Sequence, residues 1–141
     1  MQADKLTGID FLPAEIAVLA PAEPPVARVV KAIQGYFTHP TKQFQLQLCL
    51  RGSEFQQRVW QRLRRIPAGR PITYGMLAKE LGSGPRAVGN ACRANPCPLV
   101  VPCHRVVSAV GLGGFAGQRE GEKVAVKRWL LAHEGYRETS R

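Results

Sequence analysis

Acidic residues are scarce in this sequence, ten Asp and Glu against twenty Lys and Arg. Cysteine and histidine are scarcer still, four and three in 141 residues, and no apolar run is long enough to cross a bilayer. Each shortage removes a class of protein. Cys49, Cys92, Cys97 and Cys103 are too sparse, in a chain with ample core-forming residues, to make the disulfide framework of a small secreted scaffold. The N-terminus lacks the basic-then-apolar pattern of a secretion signal, so the expectation is a cytoplasmic protein with no membrane partner, nucleoid-associated if prokaryotic. Cys92-x4-Cys97-x5-Cys103-His104 is not a standard zinc spacing, and it would need ligands from a helix, a turn and an extended segment together. No metal and no cofactor is expected.

The shortage of acid leaves a formal charge of +10, unevenly placed. Residues 1–50 hold four basic groups (Lys5, Arg28, Lys31, Lys42) and four acidic ones (Asp4, Asp10, Glu15, Glu23). The whole excess therefore lies in residues 51–141, with 16 basic and 6 acidic groups. Such asymmetry points to a polyanionic partner for the second part, nucleic acid above others, against the plainer reading of a solvated basic surface. The length suits one domain, or one with a small appendage. A boundary at Arg51-Gly52 divides it into a short α/β part, 1–50, and a more helical part, 51–141, an α+β chain overall.

Polar chemistry stands inside an apolar run at Pro102-Cys103-His104-Arg105-Val106, flanked by Leu99-Val100-Val101 and Val107, which reads as a buried extended segment. A thiol attacks as thiolate, and a neighbouring imidazole or cation supplies that activation. A buried structural cysteine beside a satisfied core histidine is the competing reading.

Before the boundary, Ile9–Leu12 is a candidate strand and Ile16–Ala20 is ambiguous. Val26, Val29, Val30, Ile33, Tyr36 and Phe37 recur at helical spacing over 25–37, and Phe44, Leu46, Leu48 and Leu50 alternate as in a half-buried strand. No chemistry is evident in these first fifty residues. Beyond it, Ser53 with Gln56 makes a capping box for a helix burying Phe55, Val59, Trp60 and Leu63. Thr73 caps a second helix that Gly82 stops, and Pro85 opens a third, the pattern of a helix-turn-helix. In the third helix Val88 and Cys92 can face the core, while Gly89 costs about 1 kcal/mol relative to Ala. Close approach to a nucleic-acid groove or to another helix would each account for it. Asn95 can fix the turn that follows. Ser108–Gly117 is glycine-rich, either a lid or a connector. A last helix over 121–133 places Val126, Trp129, Leu130 and His133 on one face. Glu134 stands at its C-terminal end, where the helix dipole opposes a carboxylate.

Pro102-Cys103-His104-Arg105-Val106-Val107 resembles the active-site signature of the O6-alkylguanine-DNA alkyltransferases, or methylated-DNA–protein-cysteine methyltransferases. The likeness extends in order through Phe55–Trp60, Ile72–Gly75, Arg86–Gly89, Arg93–Pro96 and Trp129–Gly135. It implies a reduced ribonuclease H-like α/β part followed by a winged helix-turn-helix-like domain. It implies an enzyme of DNA repair that acts once, binding duplex DNA through the minor groove, flipping an O6-alkylguanine and moving its alkyl group irreversibly to Cys103. By the same resemblance His104 takes the thiol proton through a water, Glu134 polarises His104, and Tyr74 assists the guanine leaving group and the rotation of its phosphate. Arg86 fills the gap in the stack, with Ala87, Gly89 and Arg93 on the DNA, and Asn95 braces the recognition helix. Val106, Phe115 and Ala116 line the pocket. A monomer is implied, with cooperative assembly on DNA open. The chain departs from the pattern in its short N-terminal part and at Phe115-Ala116, where several relatives carry tyrosine and a polar residue.

Overall fold

The computed structural model describes residues 5–12, 23–109 and 122–136, the side chains of 122 and 123 excepted. Helix α1, Pro24–Thr38, begins with prolines in its first turn, where no intrahelical N–H is lost, and buries Val29 and Tyr36. Helix α2, Glu54–Leu63, carries the full capping box: the Ser53 hydroxyl accepts from Gln56 N and the Gln56 side chain accepts from Ser53 N. It buries Val59, Trp60 and Leu63 and is tied to the helix that carries Ala91 by the indole N–H of Trp60, which donates to Ala91 O at 2.9 Å.

Strand β1, Ile72–Thr73, leads directly into α3, Tyr74–Glu80, whose N-cap is Thr73. Gly82, at φ +65°, turns the chain, and Pro85 opens α4, Pro85–Arg93. Helices α3 and α4 pack on each other and α2 packs on α4. The chain returns through the buried segment 97–102 to strand β2, Val106–Val107, which pairs in parallel with β1, Ile72 opposite Val106 and Thr73 opposite Val107. Helix α5, Glu122–His133, closes the described structure. The result is a mixed helical fold around a small two-stranded sheet. One apolar core runs through it, joining Leu6, Val29 and Tyr36 to Val59, Trp60, Leu77, Val88, Val101, Cys103 and Leu130.

Three expectations are corrected. Residues 9–12 form no strand; the pairing lies earlier, as a single parallel bridge of Leu6 with Leu48, while Ile9 N donates to Pro96 O in the turn after α4. The segment from Phe44 to Leu50 keeps its alternating burial as far as Leu48, and among the described residues its one bridge is that of Leu48 with Leu6. The face of α5 is also rotated. Trp129 is 53% exposed, and the buried positions are Val124, Lys127, Leu130 and Leu131. The side chain of Trp129 instead stacks on His133 at 4.8 Å and leans on Phe37 at 5.7 Å. Ile16–Ala20, Phe115 and Ala116 lie outside the described residues.

Candidate active site

Cys103, His104 and Arg105 occupy one turn of 3-10 helix, not the extended segment the apolar flanks suggest. A strand would send neighbouring side chains to opposite faces. A 3-10 turn separates them by about 120°, so three consecutive residues serve three directions. Cys103 and His104 are buried, at 6% and 0% exposure.

His104 Nε2 lies 2.7 Å from Glu134 Oε2. Arg105 grips the same carboxylate in a fork, Nε to Oε1 at 2.9 Å and Nη2 to Oε2 at 2.9 Å, and its Nη1 donates to Ile66 O at 2.7 Å. A further donor comes from α1: the Tyr36 hydroxyl reaches Glu134 Oε2 at 2.6 Å. Burial alone would push the Glu134 carboxyl up, but hydrogen bonds from His104, Arg105 and Tyr36 outweigh it and hold it down to about 2. Glu134 is therefore an anion that only accepts. That fixes the His104 proton on Nε2 and leaves a lone pair on Nδ1, and Nδ1 is buried with no hydrogen-bond partner among the described residues. Burial pushes the imidazole down from its ordinary range, Glu134 pulling the other way, so the neutral, base-competent form is favoured.

Glycine allows a second loop to approach the backbone of Glu134. Gly69, in the loop between α2 and β1, has φ +80°, and a Cβ there would lie 2.8 Å from Glu134 O. The left-handed backbone and the close approach both demand glycine.

Burial pushes the Cys103 thiol up, against a hydrogen bond from Asn95 and the charge of Lys127, which pull it down. The resting group is a thiol, held ready to lose its proton. Asn95 Nδ2 donates to Val101 O at 2.9 Å and its Oδ1 accepts from Cys97 N at 3.0 Å. The turn that ends α4 is thereby tied to the segment entering Cys103. Leu99 sits within that segment at φ +77°, an unusual backbone for a branched residue.

Lys127 is fully buried; its Nζ donates to Val106 O at 2.7 Å and lies 5.7 Å from the centre of the Tyr74 ring. Burial pushes this ammonium down to about 8, while the thiols of Cys103 and Cys92 pull it up. Tyr74, half-buried at the start of α3, has its phenol pushed up by burial and then by the same two thiols, so it remains a hydrogen donor. Val106 is buried beside them on β2.

On the outer side of α4, Arg86, Ala87 and Arg93 are exposed. A Cβ at Gly89 would meet no heavy atom within 4 Å, so no helix–helix contact within the described chain accounts for this glycine. The site thus gathers Cys103, His104, Glu134 and Asn95 around one turn, with Tyr74 and Lys127 on the neighbouring helices α3 and α5. Arg86, Ala87, Gly89 and Arg93 form a separate outward face. Tyr36, Arg105 and Lys127 were not singled out from sequence. Lys127 alone left a signal there, as a charge three residues from both Val124 and Leu130 on an apolar helical stripe. Among the described residues no group of three or more His, Cys, Asp or Glu could hold a metal ion.

The chain is similar to known proteins. A Thermus thermophilus protein named DNA base-flipping protein is 49% identical over 111 residues, covering 77% of this chain and 72% of its own. A methylated-DNA–protein-cysteine methyltransferase of Salmonella typhimurium is 52% identical over 88 residues, 60% of this chain and 48% of that one. The chain thus spans about half the length of this curated methyltransferase. The crystal structure of Mycobacterium tuberculosis OGT in complex with DNA superposes with a TM-score of 0.69 at 41% identity, covering 77% of this chain and 66% of that one. Residues 54–136, the stretch that carries α2 to α5 and every group around Cys103 except Tyr36, match the family described as 6-O-methylguanine DNA methyltransferase, DNA binding domain, and the chain belongs to that family.

Proposed function

We propose that this protein reverses O6-alkylguanine damage in duplex DNA by one irreversible transfer of the alkyl group to Cys103. The observation that carries the reading is the buried imidazole of His104, next in sequence to a buried thiol, backed through Nε2 by an ionised Glu134 and with its Nδ1 lacking a partner among the described residues. A general base so oriented, beside a nucleophile that rests protonated, is the arrangement a thiol needs to react without standing exposed as thiolate. The sulfur forms a bond to the alkyl carbon as the carbon–O6 bond breaks, and the bonding pair leaves on the purine. The thiol proton passes through a water to His104 Nδ1. Tyr74, kept protonated, meets the charge growing on the purine with its hydroxyl, and the purine is then reprotonated. Lys127 holds the Val106 carbonyl and keeps β2 in place beside the pocket, where Phe115 and Ala116 are proposed to complete the wall. The thioether is not reversed by any group in the site, so each molecule acts once.

The DNA contact is assigned to the α3–α4 pair as part of a winged helix-turn-helix. Arg86 enters the stack in place of the flipped base, and Ala87, Gly89 and Arg93 lie on the duplex from the minor groove. A recognition helix so poor in long polar side chains suits contact by shape over base-edge reading. Flipping costs a few kcal/mol, least for a poorly paired base. Residues 51–141 form the DNA-binding and transfer unit in this reading, and residues 1–50 a reduced ribonuclease H-like part. The protein acts as a monomer, with copies free to gather on DNA, in the cytoplasm or nucleoid.

The test is intact mass before and after incubation with duplex containing O6-methylguanine, followed by peptide mapping. A gain of one methylene unit, about 14 Da for S–H becoming S–CH3, on Cys103 is expected. The name of the Thermus relative favours a second reading, base flipping without transfer. Selective binding of damaged duplex with no gain in mass would establish that one instead.

A further inference from the structure

One contact of the Glu134 carboxylate comes from the chain before residue 51. Glu134 Oε2 is shared by three donors, Tyr36 Oη at 2.6 Å, His104 Nε2 at 2.7 Å and Arg105 Nη2 at 2.9 Å. We propose that Tyr36 is a positioning residue of the transfer site: its hydroxyl holds the Glu134 carboxylate against His104, so that α1 completes the relay. The inference rests on the transfer reading above.

Tyr36 is 1% exposed, 98 residues away in sequence from the carboxylate it contacts. Its ring is clamped by Phe44, stacked at 5.7 Å, and by Phe37 and His133 edge-on at 5.4 Å each, so the hydroxyl has one place to point. The backbone is held too, with His133 Nε2 3.2 Å from Tyr36 O. Since Glu134 accepts only, Tyr36 must donate, and burial followed by the Glu134 contact pushes its phenol up, so it donates at every working pH. A donor on the oxygen that also faces His104 does two things. It fixes where that oxygen lies, and it draws off part of the negative charge that would otherwise stabilise an imidazolium. The other charged or titratable groups around this pair are Arg105 on the same turn as His104, and Lys127 and His133 on α5.

Removing the hydroxyl should therefore make His104 more basic. His104 must be neutral to take the thiol proton, so the acid limb of the pH–rate profile should move to higher pH in Tyr36→Phe. A shift of about one pH unit is expected, the scale of one lost hydrogen bond to a charged group. In single-turnover transfer at saturating protein, the rate loss should approach about tenfold below the limb and vanish above it. Phenylalanine keeps the ring contacts, and a thermal melt checks that the fold is retained. The His104 ring is titrated in parallel by NMR in the DNA-free proteins. An upward shift there, matching the displaced limb, is the expected result. A rate loss uniform across pH with an unmoved His104 titration would make Tyr36 merely structural and overturn the proposal. A wild-type protein that transfers no alkyl group would sink the transfer reading, and the NMR titration would still decide whether Tyr36 tunes His104.

Discussion

Glu134 accepts hydrogen bonds from Tyr36, His104 and Arg105 with its side chain fully withdrawn from water, and the helix dipole of α5 opposes its charge. Removing the charge while leaving the half-buried Arg105 without its ionised partner should cost about 3 kcal/mol, so Glu134→Gln is expected to lower the melting temperature as well as slow transfer. The pH dependence follows from the direction of each shift. The Glu134 carboxyl is held down to about 2 in the fold against an ordinary 4.5, so its contribution is complete above about pH 4.5 and is lost as pH falls toward 2. His104 is pushed below its ordinary 6.5, so protonation favours the unfolded chain and stability falls as pH drops below that value. Both act in one direction. A melting series from about pH 7 to about pH 3 should decline throughout, and Glu134→Gln should flatten its acid end. Cys103→Ala should abolish the mass gain and leave binding to alkylated duplex largely intact, since its neighbours Asn95 and Val101 are held by their own hydrogen bonds. Unfolding of that variant would restore the structural-cysteine reading.

At the scale of elements, α4 separates stability from function at one position. Gly89→Ala adds a Cβ that meets nothing within 4 Å and removes the helix penalty of glycine. The variant should be more stable by up to about 1 kcal/mol and bind duplex more weakly, read by thermal melting and by fluorescence anisotropy. Equal or tighter binding would show that the backbone of α4 does not approach DNA there. The two loop glycines make a further contrast. Gly82, at φ +65° with open space around it, should lose about 1 kcal/mol on substitution by alanine, from backbone alone. Gly69→Ala adds a 2.8 Å encounter with Glu134 O and should lose more, with transfer slowed because the carboxylate is displaced. Caps and stops were legible because their chemistry is local: Ser53 with Gln56, Thr73, Gly82 and Pro85 each perform where the sequence puts them. The face of α5 was not. Trp129 is the larger apolar residue, but the carbonyl of Val106 accepts the ammonium of Lys127, and the helix turns to deliver it.

Over the whole molecule, the +10 charge confined to residues 51–141 should make affinity for the proposed duplex partner a steep function of salt. A linear fall of log affinity with log salt is expected, with Arg86→Ala weakening capture of the damaged duplex more than general binding. Equal losses on damaged and undamaged duplex would reduce Arg86 to a phosphate contact. The two parts of the chain share one apolar core, and no helix is long and apolar enough to cross a membrane among the described residues. The residue types of the site, the helices α3 and α4 with the Gly82 turn between them, and the charge asymmetry were set by sequence alone, because capping, periodicity and composition act over a few residues. Tertiary structure decided the rest. It wound Cys103, His104 and Arg105 into a turn, buried Lys127 under Tyr74, and carried Tyr36 across 98 residues to Glu134. Those contacts depend on which buried polar groups find partners once water is gone, and that is settled only when distant segments meet.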